Sequence, residues 1–124
     1  MSDIGYQDFP ELETWQNARE LKIEIYDLVK KFPCEEKYLL VNQIIRSVRS
    51  INSNIAEGRG RYTYKDQLHF CIQARGSLSE THNHLFDALD CRYITETEIE
   101  YYAKKIETLG KLLNGYISFL RSKI

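Results

Sequence analysis

The chain has 124 residues, the size of one domain, and its 43% hydrophobic and 28% charged residues are typical of a globular protein. This composition excludes two large domains and an intrinsically disordered chain. The 17 Lys and Arg against 18 Asp and Glu give a net charge of -1, so no overall charge excess attracts the protein to nucleic acid or anionic lipid. We expect a single domain over residues 1–124.

Apolar residues recur at helical spacing in four segments, and the first two lie before residue 58. The first helix is predicted over about residues 12–32 and ends because Pro33 disfavours helical geometry in the residue before it. The second is predicted over about residues 35–57, with Gly58 as a left-handed C-terminal cap.

The third helix is predicted over about residues 63–91, because Thr63 and Asp66 have the spacing of a capping box. Gly76 and Ser77 lie in its middle, where a glycine costs stability. This cost predicts close approach of another backbone at that point.

The fourth helix is predicted over about residues 95–122 and begins with a Thr95–Glu98 capping box. The short connections make successive helices antiparallel neighbours, so the predicted fold class is all-α, an up-down-up-down four-helix bundle. Surplus apolar and tyrosine surface on these long helices predicts a self-association face.

Several classes of protein are excluded by what the sequence lacks. Residues 1–4 do not resemble a secretory signal and no apolar run approaches the about 20 residues of a membrane span, so we expect a cytoplasmic protein without membrane contact. Three cysteines without a CxxC pair predict reduced thiols. His69, His82 and His84 lack metal-ligand spacing and are expected at the surface. We therefore expect no catalytic residue, no metal, no cofactor and no enzyme activity.

The middle of the chain is basic, since residues 37–79 hold seven bases and two acids. Two glycines and two arginines in residues 57–61 offer backbone N–H groups and guanidinium donors that suit phosphate oxygens. An ordinary turn with solvated arginines is the alternative. The candidate nucleic-acid-binding residues are Arg46, Arg49, Arg59, Arg61 and Lys65.

A series of short motifs resembles the four-helix-bundle proteins encoded in intervening sequences of bacterial 23S ribosomal RNA genes. The motifs are Trp15-Gln16-Asn17-Ala18, Ile25-Tyr26, Lys31-Phe32-Pro33, Gln43-Ile44-Ile45-Arg46, Ser50-Ile51, Asn54-Ile55-Ala56-Glu57-Gly58-Arg59-Gly60-Arg61 and Ala74-Arg75-Gly76-Ser77-Leu78-Ser79-Glu80. The resemblance implies a ring-like homopentamer in a family sometimes labelled ribosomal. The same fold is similar to the accessory proteins of diversity-generating retroelements, which are basic pentamers that bind nucleic acid and a reverse transcriptase.

Two functional hypotheses follow. The first is a nucleic-acid-associated bundle whose basic residues neutralise the phosphates of structured RNA or another nucleic acid. The second is an oligomeric scaffold whose partner is a protein. In the predicted topology, Arg59 and Arg61 share one end of the bundle with Arg121 and Lys123, and the acidic start of the chain at that end opposes their charge.

Overall fold

The computed structural model describes residues 8–124, and within that range it confirms an all-α four-helix bundle without strands. The helices are α1 (Glu13–Leu28), α2 (Leu40–Arg59), α3 (Tyr64–Asp90) and α4 (Glu96–Ser122). Helix α2 lies between α1 and α3, and α4 closes the bundle against α3 and α1. Over the described range, no helix is both long and apolar enough to cross a membrane.

The core runs the length of the bundle and is formed by the apolar stripes of all four helices. The largest fully buried side chains include Leu21, Ile25, Ile44, Ile51, Ile55, Leu85, Leu109, Leu113, Ile117 and Leu120. Burying each of them contributes about 1.5–3 kcal/mol relative to an exposed position.

Two predicted helix starts are confirmed by their caps. Thr95 Oγ1 accepts from the Glu98 backbone N–H at 3.1 Å, while the Glu98 carboxylate accepts from the Thr95 N–H at 2.9 Å. Thr63 Oγ1 accepts from the Asp66 N–H at 3.1 Å. These bonds satisfy N–H groups that a helix start otherwise leaves without partners.

The start of the second helix was predicted at residue 35, but α2 begins only at Leu40. Residues Cys34–Glu36 instead form a short 3-10 turn. The Tyr93 hydroxyl, in the α3–α4 connection, donates to Glu36 Oε2 at 2.7 Å, and this bond raises the pKa of Tyr93 to about 12. This bond holds the 3-10 turn against the α3–α4 connection at the same end of the bundle. The residues of the turn therefore do not extend α2.

The two glycine predictions were wrong, and for related reasons. Gly58 is not a left-handed cap: it is buried inside α2, and a Cβ there would lie 2.9 Å from Phe70 Cβ and 3.2 Å from the Gln67 carbonyl oxygen. The close approach predicted at Gly76 is therefore found at Gly58. Gly76 is exposed, and no atom lies within 4 Å of the position its Cβ would occupy.

Ser77, the neighbour of Gly76, does face another helix. Its hydroxyl donates to Ser50 Oγ on α2 at 3.0 Å, and one turn further Ser47 Oγ and Thr81 Oγ1 lie 2.8 Å apart in the core. Small polar side chains thus let α2 and α3 approach closely along their length while satisfying each other's hydrogen bonds.

We expect Gly58→Ala to lower the free energy of unfolding by about 1–3 kcal/mol, because the new methyl group overpacks the α2–α3 contact. The matched control is Gly76→Ala, which should raise stability by about 0.5–1 kcal/mol, since it replaces an exposed mid-helix glycine. Chemical denaturation of both variants measures the difference. A Gly58→Ala variant as stable as the wild type would contradict this packing.

Candidate nucleic-acid interface

The five predicted basic residues do not form one patch. Arg46 and Arg49 lie exposed on the outer side of α2, whereas Arg59, Arg61 and Lys65 lie around the α2–α3 turn. Arg46 and Arg59 are 13 positions apart on one helix, which corresponds to about 20 Å. The two groups are therefore separate surfaces.

Two of the three basic residues at the α2–α3 turn are engaged by neighbours. Arg59 is partly buried, and its Nη1 donates to the Tyr116 hydroxyl on α4 at 3.2 Å. Arg61 pairs with Glu57 at 3.1 Å, and its guanidinium lies 4.7 Å from the centre of the Phe70 ring. Lys65 is exposed. Glu57 thus offsets the charge of Arg61, and a neutral hydroxyl holds Arg59 against α4.

Arg49 adjoins a stripe of α1 that faces α2, whereas Arg46, one turn earlier, lies in a groove with Ser47, Ser50 and Glu80 on the α3 side. The members of this stripe, at helical spacings of four, three and four residues, are Trp15, Arg19, Lys22 and Tyr26. Asn52 Nδ2 donates to the Trp15 carbonyl at 3.3 Å, and Arg49 Nε donates to the Tyr26 hydroxyl at 2.7 Å. These bonds place Arg49 beside the cations of α1, and we call Arg19, Lys22, Arg49 and the adjacent Arg46 the basic face.

Two acidic residues of α1, Glu20 and Glu24, lie on the side that faces α4. Glu24 accepts hydrogen bonds from Lys105 at 2.8 Å and from the Tyr101 hydroxyl, and these bonds raise the pKa of both groups. Glu20 lies in the α1–α4 groove beside Lys104. Helix α2 has no acidic residue between Leu40 and Ala56. Helix α1 therefore turns Glu24 toward α4, while Arg19 and Lys22 share a stripe with Trp15 and Tyr26 on the side of α2.

Sequence reasoning missed Arg19 and Lys22 because residues 1–36 are acidic on average. Their spacing from Trp15 and Tyr26 held the signal, since positions three and four apart share a helix face. Net charge counted per segment hides this arrangement. Charge counted per helix face reveals it.

The motif residues mostly hold the bundle together. Asn54 Nδ2 donates to the Ser50 carbonyl at 2.9 Å, and Ile55 is fully buried. Arg75 Nη1 donates to Asn114 Oδ1 on α4 at 3.2 Å. The other motif residues make local contacts. Glu57 pairs with Arg61, and Glu80 is hydrogen-bonded to His84. Ala56 is partly buried, Gly58 adjoins Phe70, and Gly60 is the C-terminal cap of α2.

His84 was expected at the surface, and this prediction was wrong because the residue is only 8% exposed. It lies three residues after the buried Thr81 on the side of α3 that faces α2, and its Nε2 lies 3.1 Å from Glu80 Oε2. In the described part of the chain, no group of three His, Cys, Asp or Glu side chains is arranged to hold a metal ion.

The cysteines do not form a reactive centre. All three are free, with Cys34 and Cys91 exposed and Cys71 buried. Burial raises the pKa of the Cys71 thiol to about 11, although the nearby Arg59 charge acts in the opposite direction. A buried thiol with so high a pKa is a poor nucleophile.

The fold places the protein in the class of all-α four-helix bundles. The sequence profile described as 23S rRNA-intervening sequence protein matches residues 10–115, and the chain belongs to this family. No curated protein is significantly similar to the chain.

Among solved structures, the chain is similar to a protein of unknown function from the S23 ribosomal protein family of Bacteroides thetaiotaomicron. The two share 26% sequence identity and superpose with a TM-score of 0.78, over 85% of this chain and 95% of that one. The family relation and the bundle fold are thus established together.

We expect Arg59→Ala to lower the free energy of unfolding by about 1 kcal/mol, because it removes a partly buried hydrogen bond between α2 and α4. Lys65→Ala, which removes an exposed charge from the same turn, is the control and should unfold like the wild type. Equal stability of the two variants, measured by chemical denaturation, would show that Arg59 does not tie the helices together.

Proposed function

We propose that the protein is a non-enzymatic, self-associating bundle that binds nucleic acid through the basic face. The observation that carries this proposal is that cations of two adjacent helices lie together, with Arg49 bonded to Tyr26 across the helix pair. Within residues 8–124, none of Arg19, Lys22, Arg46 and Arg49 forms a salt bridge. Lys30, Lys31, Arg61, Lys105 and Lys111 each pair with an acid, whereas isolated bases such as Lys65 and Lys104 form no salt bridge in the described range. The grouping of the cations therefore distinguishes the basic face.

Four neighbouring cations without acidic partners repel one another and attract a polyanion. Two adjacent helix axes lie about 8–10 Å apart, and residues three apart on a helix are neighbours, so the four charges occupy one compact area. Phosphates that bind there release condensed counterions, which is the main source of affinity for nucleic acid that does not depend on base sequence. A neutral protein can therefore bind nucleic acid through one face.

Self-association is supported by a second surface, on α3. Its exposed residues, at spacings of four, three, four and three, are Ile72, Gly76, Ser79, Asn83 and Phe86, and we call them the α3 stripe. The stripe carries no charge, whereas the outer side of α4 alternates Glu100, Lys104, Glu107 and Lys111. Depletion of charge with exposed large apolar side chains is typical of a protein interface.

We expect Lys22→Gln combined with Arg46→Gln to weaken binding to a structured RNA hairpin and to flatten the slope of log affinity against log salt. Each phosphate contact contributes about 0.7–0.9 to that slope. Lys104→Gln combined with Lys111→Gln removes the same charge from α4 and serves as the control. If both double variants bind like the wild type while the protein still self-associates, the scaffold with a protein partner is the correct alternative.

We also expect gel filtration with light scattering to report about five times the chain mass of 14.7 kDa, as the family resemblance implies. Phe86→Glu should dissociate this assembly, because it buries a charge in the interface. Lys104→Glu on α4 should leave it intact. A monomeric wild type at micromolar concentration would contradict the proposal.

A further inference from the structure

We infer that Tyr26 is a positioning residue that holds Arg49 for phosphate binding, so that the basic face binds the backbone of a double helix rather than the stacked bases of a single strand. This inference rests on the proposed function. To the proposed function it adds two points: the nucleic acid is double-stranded, and Tyr26, which carries no charge, contributes to binding.

The contact between Tyr26 and Arg49 fixes the guanidinium without neutralising it. Arg49 Nε donates to the Tyr26 hydroxyl at 2.7 Å, and the guanidinium carbon lies 5.4 Å from the ring centre. A guanidinium has five N–H donors, so four are left on its two terminal nitrogens. Within residues 8–124 no carboxylate pairs with Arg49, which leaves those donors for a phosphate.

A fixed guanidinium loses less conformational entropy on binding than a freely rotating one. Its planar donor fork also matches two oxygens of a phosphate. Tyr26 is itself half-buried between α1 and α2, so its hydroxyl is a stable anchor. The hydroxyl therefore contributes to affinity through Arg49.

The aromatic rings beside the basic face are poorly placed to stack on bases. Arg19 covers Trp15, with its guanidinium carbon 5.8 Å from the ring centre, and the edge of Phe9 meets the same ring at 5.2 Å. Arg49 covers Tyr26 in the same manner. Single-strand binding without sequence preference uses open aromatic rings as stacking platforms. The fully exposed Tyr62, at the α2–α3 turn, is such a ring but lies outside the basic face.

The test compares binding of an RNA duplex and of an oligouridylate of equal length to the intact protein. We expect the duplex to bind more tightly, and Tyr26→Phe to weaken duplex binding about fivefold, because a freely rotating Arg49 must then be immobilised on binding. Arg49→Lys, which keeps the charge but loses the Nε donor, should cause a similar loss. Tyr101→Phe removes the same atom from α4, where the hydroxyl is bonded to Glu24, and should have no effect on binding.

The melting temperature of each variant separates positioning from folding: Tyr26→Phe should melt like Tyr101→Phe. If Tyr26→Phe binds the duplex like the wild type while Lys22→Gln with Arg46→Gln binds it less tightly, the role of Tyr26 is overturned. The proposed function is then still supported. Tighter binding of oligouridylate that is lost in Tyr62→Ala would overturn the backbone assignment. If Lys22→Gln with Arg46→Gln leaves the affinity for the duplex unchanged, the proposed function itself is overturned.

Discussion

The close contact between α2 and α3 is the constraint on which the arrangement of the other surfaces depends. Gly58 allows the α2 backbone to meet Phe70 and Gln67, and the Ser47–Thr81 hydrogen bond satisfies two hydroxyls in the core. Each such bond contributes about 0.5–1.5 kcal/mol, but an unpaired buried hydroxyl costs about 1–3 kcal/mol. The serine and threonine pairs therefore specify the register of the two helices more than they stabilise them.

This register determines which side of α2 faces outward. With its small residues turned toward α3 and its isoleucines toward the core, α2 presents Arg49 beside α1 and Arg46 at the edge of the α2–α3 groove. Helix α1 in turn uses Glu24 against Lys105 and Tyr101 of α4, which leaves Arg19 and Lys22 next to α2. The basic face thus results from the packing of three helix pairs, and a neutral chain acquires a local excess of positive charge.

Local signals predicted most of the fold, because capping and proline effects act within a few residues. Thr95 with Glu98 marked the start of α4. The first helix was predicted to continue to residue 32, but α1 ends at Leu28 and the 3-10 turn Val29–Lys31 separates it from Pro33. What the sequence could not predict depends on tertiary contacts. Gly58 and Gly76 differ only in whether a neighbouring helix is present, and the bond between Arg59 and Tyr116 joins residues 57 positions apart. Arg19 and Lys22 were predictable from helical spacing, but segment charge obscured them.

The most direct test of this account is ultraviolet cross-linking of an RNA hairpin to the intact protein, followed by identification of the linked peptides. The account predicts that the cross-links map to residues 15–26 of α1 and 42–53 of α2, and that Lys22→Gln with Arg46→Gln reduces them. Cross-links confined to the α2–α3 turn at residues 57–65, or to the α3 stripe, would contradict it.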